Sequence, residues 1–274
     1  MGKKNRHKGK GNRASRADRH DLYQRSVQCV EEQYDFIDKT YRQIRERRAK
    51  VLREDFCGTA NSACRWVKQH KSNVAIGVDM DGEVLAWGRK HNIGKLKRSA
   101  AGRINLIQAD VLKVHTEPVD IVLAMNFSYQ LFKQRKLLQE YFSLVRKALA
   151  DDGVFFLDAY GGYDSYRVIK ERTKLDGFTY VWDQAKFNPI THEMICHIHF
   201  AFPDGSKMKR AFSYDWRIYT LPELRDLLIE VGFSKVIVYW EQTDEDTGEG
   251  NGVYNATEQG DDDASWICFL AAIK

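Results

Sequence analysis

Four short apolar runs, each closing on a carboxylate or an amide, place the strongest constraint on what this chain folds into. They are VLRED at 51–55, NVAIGVD at 73–79, INLIQAD at 104–110 and VDIVLAMN at 119–126. Helical patterns over 60–70, 82–91 and 131–150 alternate with them, and a fifth run, GVFFLDAY at 153–160, follows. Continuous apolar character predicts strands buried on both faces, in a parallel sheet with helices on each side. In such a sheet the carboxyl ends of the strands border the ligand crevice. Glu54 or Asp55, then Asp79, Asp110 and Asn126, therefore fall on one rim.

After Gly162 the rhythm breaks. FTYVWDQAKF (178–187), HEMICHIHFAF (192–202) and MKRAFSYDWRIY (208–219) are rich in aromatic and β-branched residues, with PDGS (203–206) as a hairpin turn. This predicts an antiparallel block inserted in a parallel fold. LPELRDLLIEVGF (221–233) returns to helix, with Pro222 near its start and Gly232 closing it. KVIVYW (235–240) and SWICFLAAI (265–273) form a last strand pair around 241–263, a segment with nine acids and no base. Before the first strand, Leu22, Val27, Val30, Phe36, Ile37 and Ile44 recur at helical spacing and predict one or two amphipathic helices.

Composition matters mainly at the ends. Residues 1–20 hold eight Lys/Arg and one Asp, which predicts a disordered basic tail. The formal total is +5, so residues 21–274 carry −2. Contact with a nucleic acid thus rests on the tail only, and no RNA-binding module is recognisable in the body. No apolar segment follows the basic start, so no secretory signal is expected. No run of about 18 apolar residues exists either, so no membrane span is expected. Cysteines 29, 57, 64, 196 and 268 are widely spaced and predict reduced thiols in a cytoplasmic protein. His197 and His199 share a strand face near His192; a solvent-facing edge is the expectation, and no metal is assigned.

The strand-end acids and the stretch LREDFCGTA together resemble the class I S-adenosylmethionine-dependent methyltransferases, over about residues 20–274. LREDFCGTA is similar to the family's first motif, apolar-acid-apolar-Gly-x-Gly-x-Gly. Glu54 takes the acid position, Phe56 and Ala60 stand where the outer glycines would be, and Gly58 remains. The missing glycines argue against a dinucleotide, whose pyrophosphate needs close backbone approach.

The resemblance implies a Rossmann-like, doubly wound α/β fold. Its mostly parallel seven-stranded sheet would carry an antiparallel insertion acting as a lid. The implied organisation is a tail (1–20), an N-terminal helical flap (21–50), a cofactor-binding core (51–162), the lid (163–219) and the rest of the core (220–274) with an acidic loop at 241–263. The implied cofactor is S-adenosylmethionine, leaving as S-adenosylhomocysteine.

Asp79 suits its ribose hydroxyls, Asp110 and Val111 its adenine edge, and Met80 the adenine face. Glu54 or Asp55 suits the ammonium end, which the turn Cys57-Gly58-Thr59-Ala60 approaches. Tyr23 and Arg25 are implied to close over the cofactor. Asn126 and Phe127, in MNFSYQLF, are implied to be cofactor contacts; they hold the position of the fourth motif without its prolines and point to a nitrogen acceptor. Asp158, Tyr160 and Tyr129 are the implied acceptor contacts, with Gly161-Gly162 as a hinge and Tyr163 and Trp216 as aromatic faces. The expected activity is methyl transfer to N or O of a small-molecule acceptor. The alternatives are a methyltransferase of RNA or a ribosomal protein, or a non-catalytic S-adenosylmethionine binder.

Overall fold

β1 (Val51–Asp55) lies inside a sheet because both its neighbours are apolar runs: it pairs in parallel with β2 (Val74–Asp79) and with β4 (Val119–Ala124). The computed structural model describes residues 11–27, 30–244 and 250–274. β3 (Ile104–Gln108) and β5 (Leu149–Gly161) extend the parallel part outward. β12 (Trp266–Ile273) and β10 (Lys235–Thr243) continue it in antiparallel sense. The full order is β11-β10-β12-β5-β4-β1-β2-β3, one strand more than expected. The extra strand, β11 (Gly250–Ala256), lies inside the stretch expected to be an acidic loop and pairs with β10. Ladder bonds are made by backbone, so the acidic composition of this exposed edge does not forbid a strand there.

Two layers of helix cover the sheet. On one face α3 (Val30–Arg45) and α4 (Asn61–Gln69) bury Tyr34, Ile37, Tyr41 and Trp66 against Leu52, Ile121 and Phe156. The Trp66 indole N–H donates to the Val74 carbonyl at 3.0 Å, so its polar atom is satisfied in the core. On the other face α7 (Arg135–Ala148) and α8 (Leu221–Glu230) bury Leu138, Phe142, Leu224 and Leu228 against Phe155 and Leu157. Each such side chain contributes about 1.5–3 kcal/mol by leaving water. α8 starts with Pro222 in its first turn, as its sequence predicts, and is capped by a Thr220–Glu223 capping box. α5 (Gly82–His91) and the short α6 (Arg98–Ala101) join β2 to β3.

The antiparallel block is a separate four-stranded sheet, ordered β6 (Lys170–Leu175), β7 (Phe178–Phe187), β8 (Glu193–Ala201) and β9 (Lys207–Arg217). The disorder expected over residues 1–20 does not extend to residue 20. α1 (Arg13–Arg16) and α2 (Arg19–Val27) are helical, and residues 1–10 lie outside the described residues. The N–H groups of Arg13 and Ala14 donate to Asp204 Oδ2 at 2.9 Å and Ser206 Oγ at 3.1 Å in the β8–β9 turn. Composition misleads here because the apolar anchor, Leu22, follows the basic stretch and packs on Phe178 and Phe200 of the small sheet.

Candidate active site

The turn after β1 keeps the backbone of a glycine-rich motif with only one of its glycines. Phe56, Gly58 and Ala60 have φ of 59°, 52° and 56°. A left-handed conformation costs a non-glycine residue about 1–2 kcal/mol. Asn126 and Phe127, after β4, have φ of 56° and 57°. Among the described residues, four of the seven non-glycine positions with positive φ thus sit at the ends of β1 and β4, so backbone strain is concentrated at this rim.

Alternation along β1 separates Glu54 from Asp55. Asp55 is buried under α7, where it accepts Arg53 Nε at 2.7 Å on one oxygen and the Tyr141 hydroxyl at 3.0 Å on the other. The expectation that Asp55 might serve the crevice is therefore corrected: its acceptors are taken by a core ion pair. Glu54 stands on the α4 side with Ser62 as a hydrogen-bond partner, and its Oε2 is buried with no partner. Burial, with the charges of Asp79 and Asp55 nearby, pushes its pKa up to about 8. Asp79 accepts the Gly58 N–H at 2.8 Å on Oδ2 and the Asp81 N–H at 2.9 Å on Oδ1; burial pushes its pKa up as well. Glu54, Gly58 and Asp79 are thus brought together.

Nothing lies within 4 Å of where a side chain at Gly58 would begin. Met80 follows Asp79 with 68% of its surface exposed, a large apolar side chain left bare at the rim. Asp110 closes its own turn by accepting the Leu112 N–H at 2.9 Å, and Val111 beside it is buried. Cys57 is buried beneath the turn, its N–H donating to the Val78 carbonyl at 3.0 Å. Thr59 accepts Gln24 Nε2 at 2.6 Å on Oγ1, and Ala60 is the residue from which α4 starts.

At β4 the strain is held by Asp158. The N–H groups of Asn126 and Phe127 donate to Asp158 Oδ2 and Oδ1, both at 2.8 Å. Burial pushes its pKa up to about 7, opposed by those two amides. Asp158 therefore secures the turn and does not line the neighbouring cavity, against the expectation of an acceptor contact. Tyr129 is corrected likewise: it is wholly buried, and its hydroxyl donates to the Asp158 carbonyl at 2.9 Å. Tyr160 does line the cavity, with its ring 4.6 Å from that of Phe127 and its hydroxyl donating to Met194 Sδ at 2.9 Å. Tyr163 is 60% exposed and off the cavity. Gly161-Gly162 is no free hinge, because the Trp266 ring and the Ala264 carbonyl press on the space a side chain would need.

α2 bridges the two sheets. Asp18, just before it, accepts the Trp87 indole N–H of α5 at 2.7 Å, and Gln24 holds Thr59 as above. Tyr23, Ser26 and Val27 face a cavity of about 290 Å³. Its other walls are Asn126, Phe127 and Tyr160 of the core and Tyr180, Trp182, Tyr214 and Trp216 of the small sheet. Arg25 is corrected: it points away, donating to the Asp176 carbonyl at 2.6 Å with its guanidinium over the Phe178 ring.

Gln24, Tyr180, Trp182 and Tyr214 went unassigned from the sequence. The signal was present in Tyr180/Trp182/Gln184 and Phe212/Tyr214/Trp216, two period-two rows that put rings on one strand face. His199 and His197 lie on the opposite face, bonded to Asp183 Oδ2 at 3.1 Å and Ser213 Oγ at 2.8 Å.

No protein-family model matches the sequence, and no curated protein matches it. Solved structures do match. An S-adenosylmethionine-dependent methyltransferase from Clostridium acetobutylicum is similar at 15% identity and a TM-score of 0.67, over 93% of this chain and 96% of that one. An amino pentose methyltransferase from Micromonospora echinaspora, solved with S-adenosylmethionine bound, is similar at 13% identity and a TM-score of 0.64, over 92% and 95%. A sugar N-methyltransferase from a Streptoalloteichus species is similar at 14% identity and a TM-score of 0.62, over 94% and 93%. The likeness is one of fold, and it runs through nearly the whole of each chain.

Proposed function

We propose that the protein is an S-adenosylmethionine-dependent methyltransferase that methylates N or O of a small acceptor seated between the core and the small sheet. One observation carries this reading: an acid cluster at Glu54, Gly58 and Asp79 lies at the ends of β1 and β2, and the neighbouring strand, β4, ends in the Asn126-Phe127 turn that lines an aromatic cavity. The crevice fits the cofactor by its donor set. Glu54 Oε2, buried without a partner, suits the ammonium end of an amino acid. Asp79 has each oxygen only half used by backbone amides, so it retains lone pairs for two ribose hydroxyls. The bare Met80 suits the adenine face, the Asp110-Val111 turn its edge, and the open space over Gly58 the chain between.

When bound, the cofactor supplies a methyl group already activated by a positive sulfur. The residues of this chain then have the work of positioning: bringing an acceptor to about 3–3.5 Å from the methyl, in line, with water excluded. Asn126 and Phe127, at the end of the strand beside β1, line the acceptor cavity and are fixed by Asp158, while α2 and the small sheet form its other walls. The amino pentose and sugar-nitrogen enzymes of the same fold support nitrogen as the methylated atom. Cys57, Cys64, Cys196 and Cys268 are free and buried, which supports a reducing, cytoplasmic setting; Cys29 lies outside the described residues.

The test is calorimetry with S-adenosylmethionine followed by mass spectrometry. Binding by the wild-type protein, its loss in Asp79→Ala, and a metabolite gaining one methyl are the expected results. A folded protein that binds no S-adenosylmethionine defeats the reading.

A further inference from the structure

The acceptor cavity is built from ring faces and carboxylates. Tyr214 and Trp216 of β9 lie with centroids 4.4 Å apart, and Trp182 of β7 is 6.1 Å and 6.2 Å from them. Phe127, 6.5 Å from Trp216, continues the wall towards Tyr160. Among the described residues that line it there is no Lys, Arg or His. Asp164 is neutralised by Arg167 at 2.6 Å, whereas Glu171, directly opposite Trp182 in the strand register, makes no ion pair among the described residues.

Several of the cavity's hydrogen-bond donors are engaged within the protein. Gln184 Nε2 donates to the carbonyls of Asp164 and Arg167 at 2.9 and 3.0 Å. Ser26 and Ser165 hydroxyls donate to the Leu22 and Gly162 carbonyls, and Tyr160 donates to Met194. An anion thus finds no cationic side chain in the lining, while a cation finds several aromatic rings and an unpaired carboxylate at the rim.

We propose that this cavity is a cage for an alkylammonium group, so that the acceptor is an amine recognised as a cation and favoured the more alkylated it is. This rests on the methyltransferase reading above. Added methyl groups weaken the cation's hydration and add apolar surface against the rings. In the transfer, an ammonium acceptor first loses a proton to solvent, and its lone pair then forms the N–C bond as the S–C bond breaks. Positive charge passes from sulfur to nitrogen, and the rings receive it where it arrives.

The experiment is calorimetry on the full chain with choline and with its uncharged carbon isostere, 3,3-dimethylbutan-1-ol, each with and without S-adenosylhomocysteine. Choline binding about tenfold or more tighter than the isostere is the expected result. Glu171→Gln, at an exposed position, is expected to weaken choline about threefold or more and leave the isostere unchanged. Equal affinities, or S-adenosylhomocysteine binding with no choline binding, overturn the cage and leave the methyltransferase reading standing. Choline binding without any S-adenosylhomocysteine binding overturns that reading and leaves the cage.

Discussion

Gln24 of α2 donates from its amide nitrogen to the hydroxyl of Thr59 at 2.6 Å, which latches an N-terminal helix onto the turn that follows the first strand. The latch joins residues 35 positions apart and ties α2 to the residue next to Gly58. A hydrogen bond of this kind is worth about 1 kcal/mol net. Gln24→Ala is expected to speed dissociation of S-adenosylmethionine about fivefold in stopped-flow fluorescence while the melting temperature stays close to wild type. An unchanged rate removes the latch from the account.

Glu54 is expected to make ligand binding at the strand ends depend on pH, with a definite sign. Its pKa is raised to about 8, so below that pH the carboxyl is protonated and a cationic ligand group must displace the proton. Affinity for S-adenosylmethionine, measured by calorimetry, is expected to rise between pH 6 and 8 by up to about tenfold per unit and then level off. Glu54→Gln is expected to flatten that profile and to bind more weakly at pH 9. A rise that survives the substitution assigns the proton to another group.

Asp158 is expected to reveal itself through stability. Asp158→Asn turns an amide N–H₂ towards one of two backbone N–H donors and is expected to cost about 2–3 kcal/mol at pH 8. The wild-type linkage runs the other way from a surface carboxylate. A folded pKa near 7 lies above the unfolded value, so the contribution is fully present below about pH 4 and is lost as pH rises through 7. Glu54 adds a loss of the same sign through 8. Urea denaturation across pH 5–8 is expected to show falling stability, with a shallower fall in Asp158→Asn.

Asp55 is expected to behave in the opposite manner to Glu54. Asp55→Ala leaves the Arg53 guanidinium buried without its counter-charge and is expected to cost about 3–5 kcal/mol. In whatever fraction stays folded, affinity for S-adenosylmethionine is expected to match wild type. Selective loss of affinity with stability intact would return Asp55 to the crevice.

The buried parallel strands were legible because apolar runs such as VDIVLAMN find their place inside a sheet. Which of two neighbouring acids faces a ligand was not. Glu54 and Asp55 differ by one step of a two-residue period, and only the position of Arg53 and Tyr141 decides between them. Asp158 was misread for a related reason: a carboxylate that holds its own backbone and one that holds a substrate are the same letter in a sequence. The turn at 56–60 is the converse case. Glycine reports a left-handed conformation only when glycine is used, and Phe56 and Ala60 adopt it unannounced. Residues 13–20 were hidden by charge, since the contacts that order them belong to Asp204, Trp87 and the small sheet, far away in the chain.

One short helix touches both compartments, through Gln24 on one side and Tyr23, Ser26 and Val27 on the other. A change that loosens α2 is therefore expected to act on both at once, so that ligands of the two sites bind in a fixed order rather than at random.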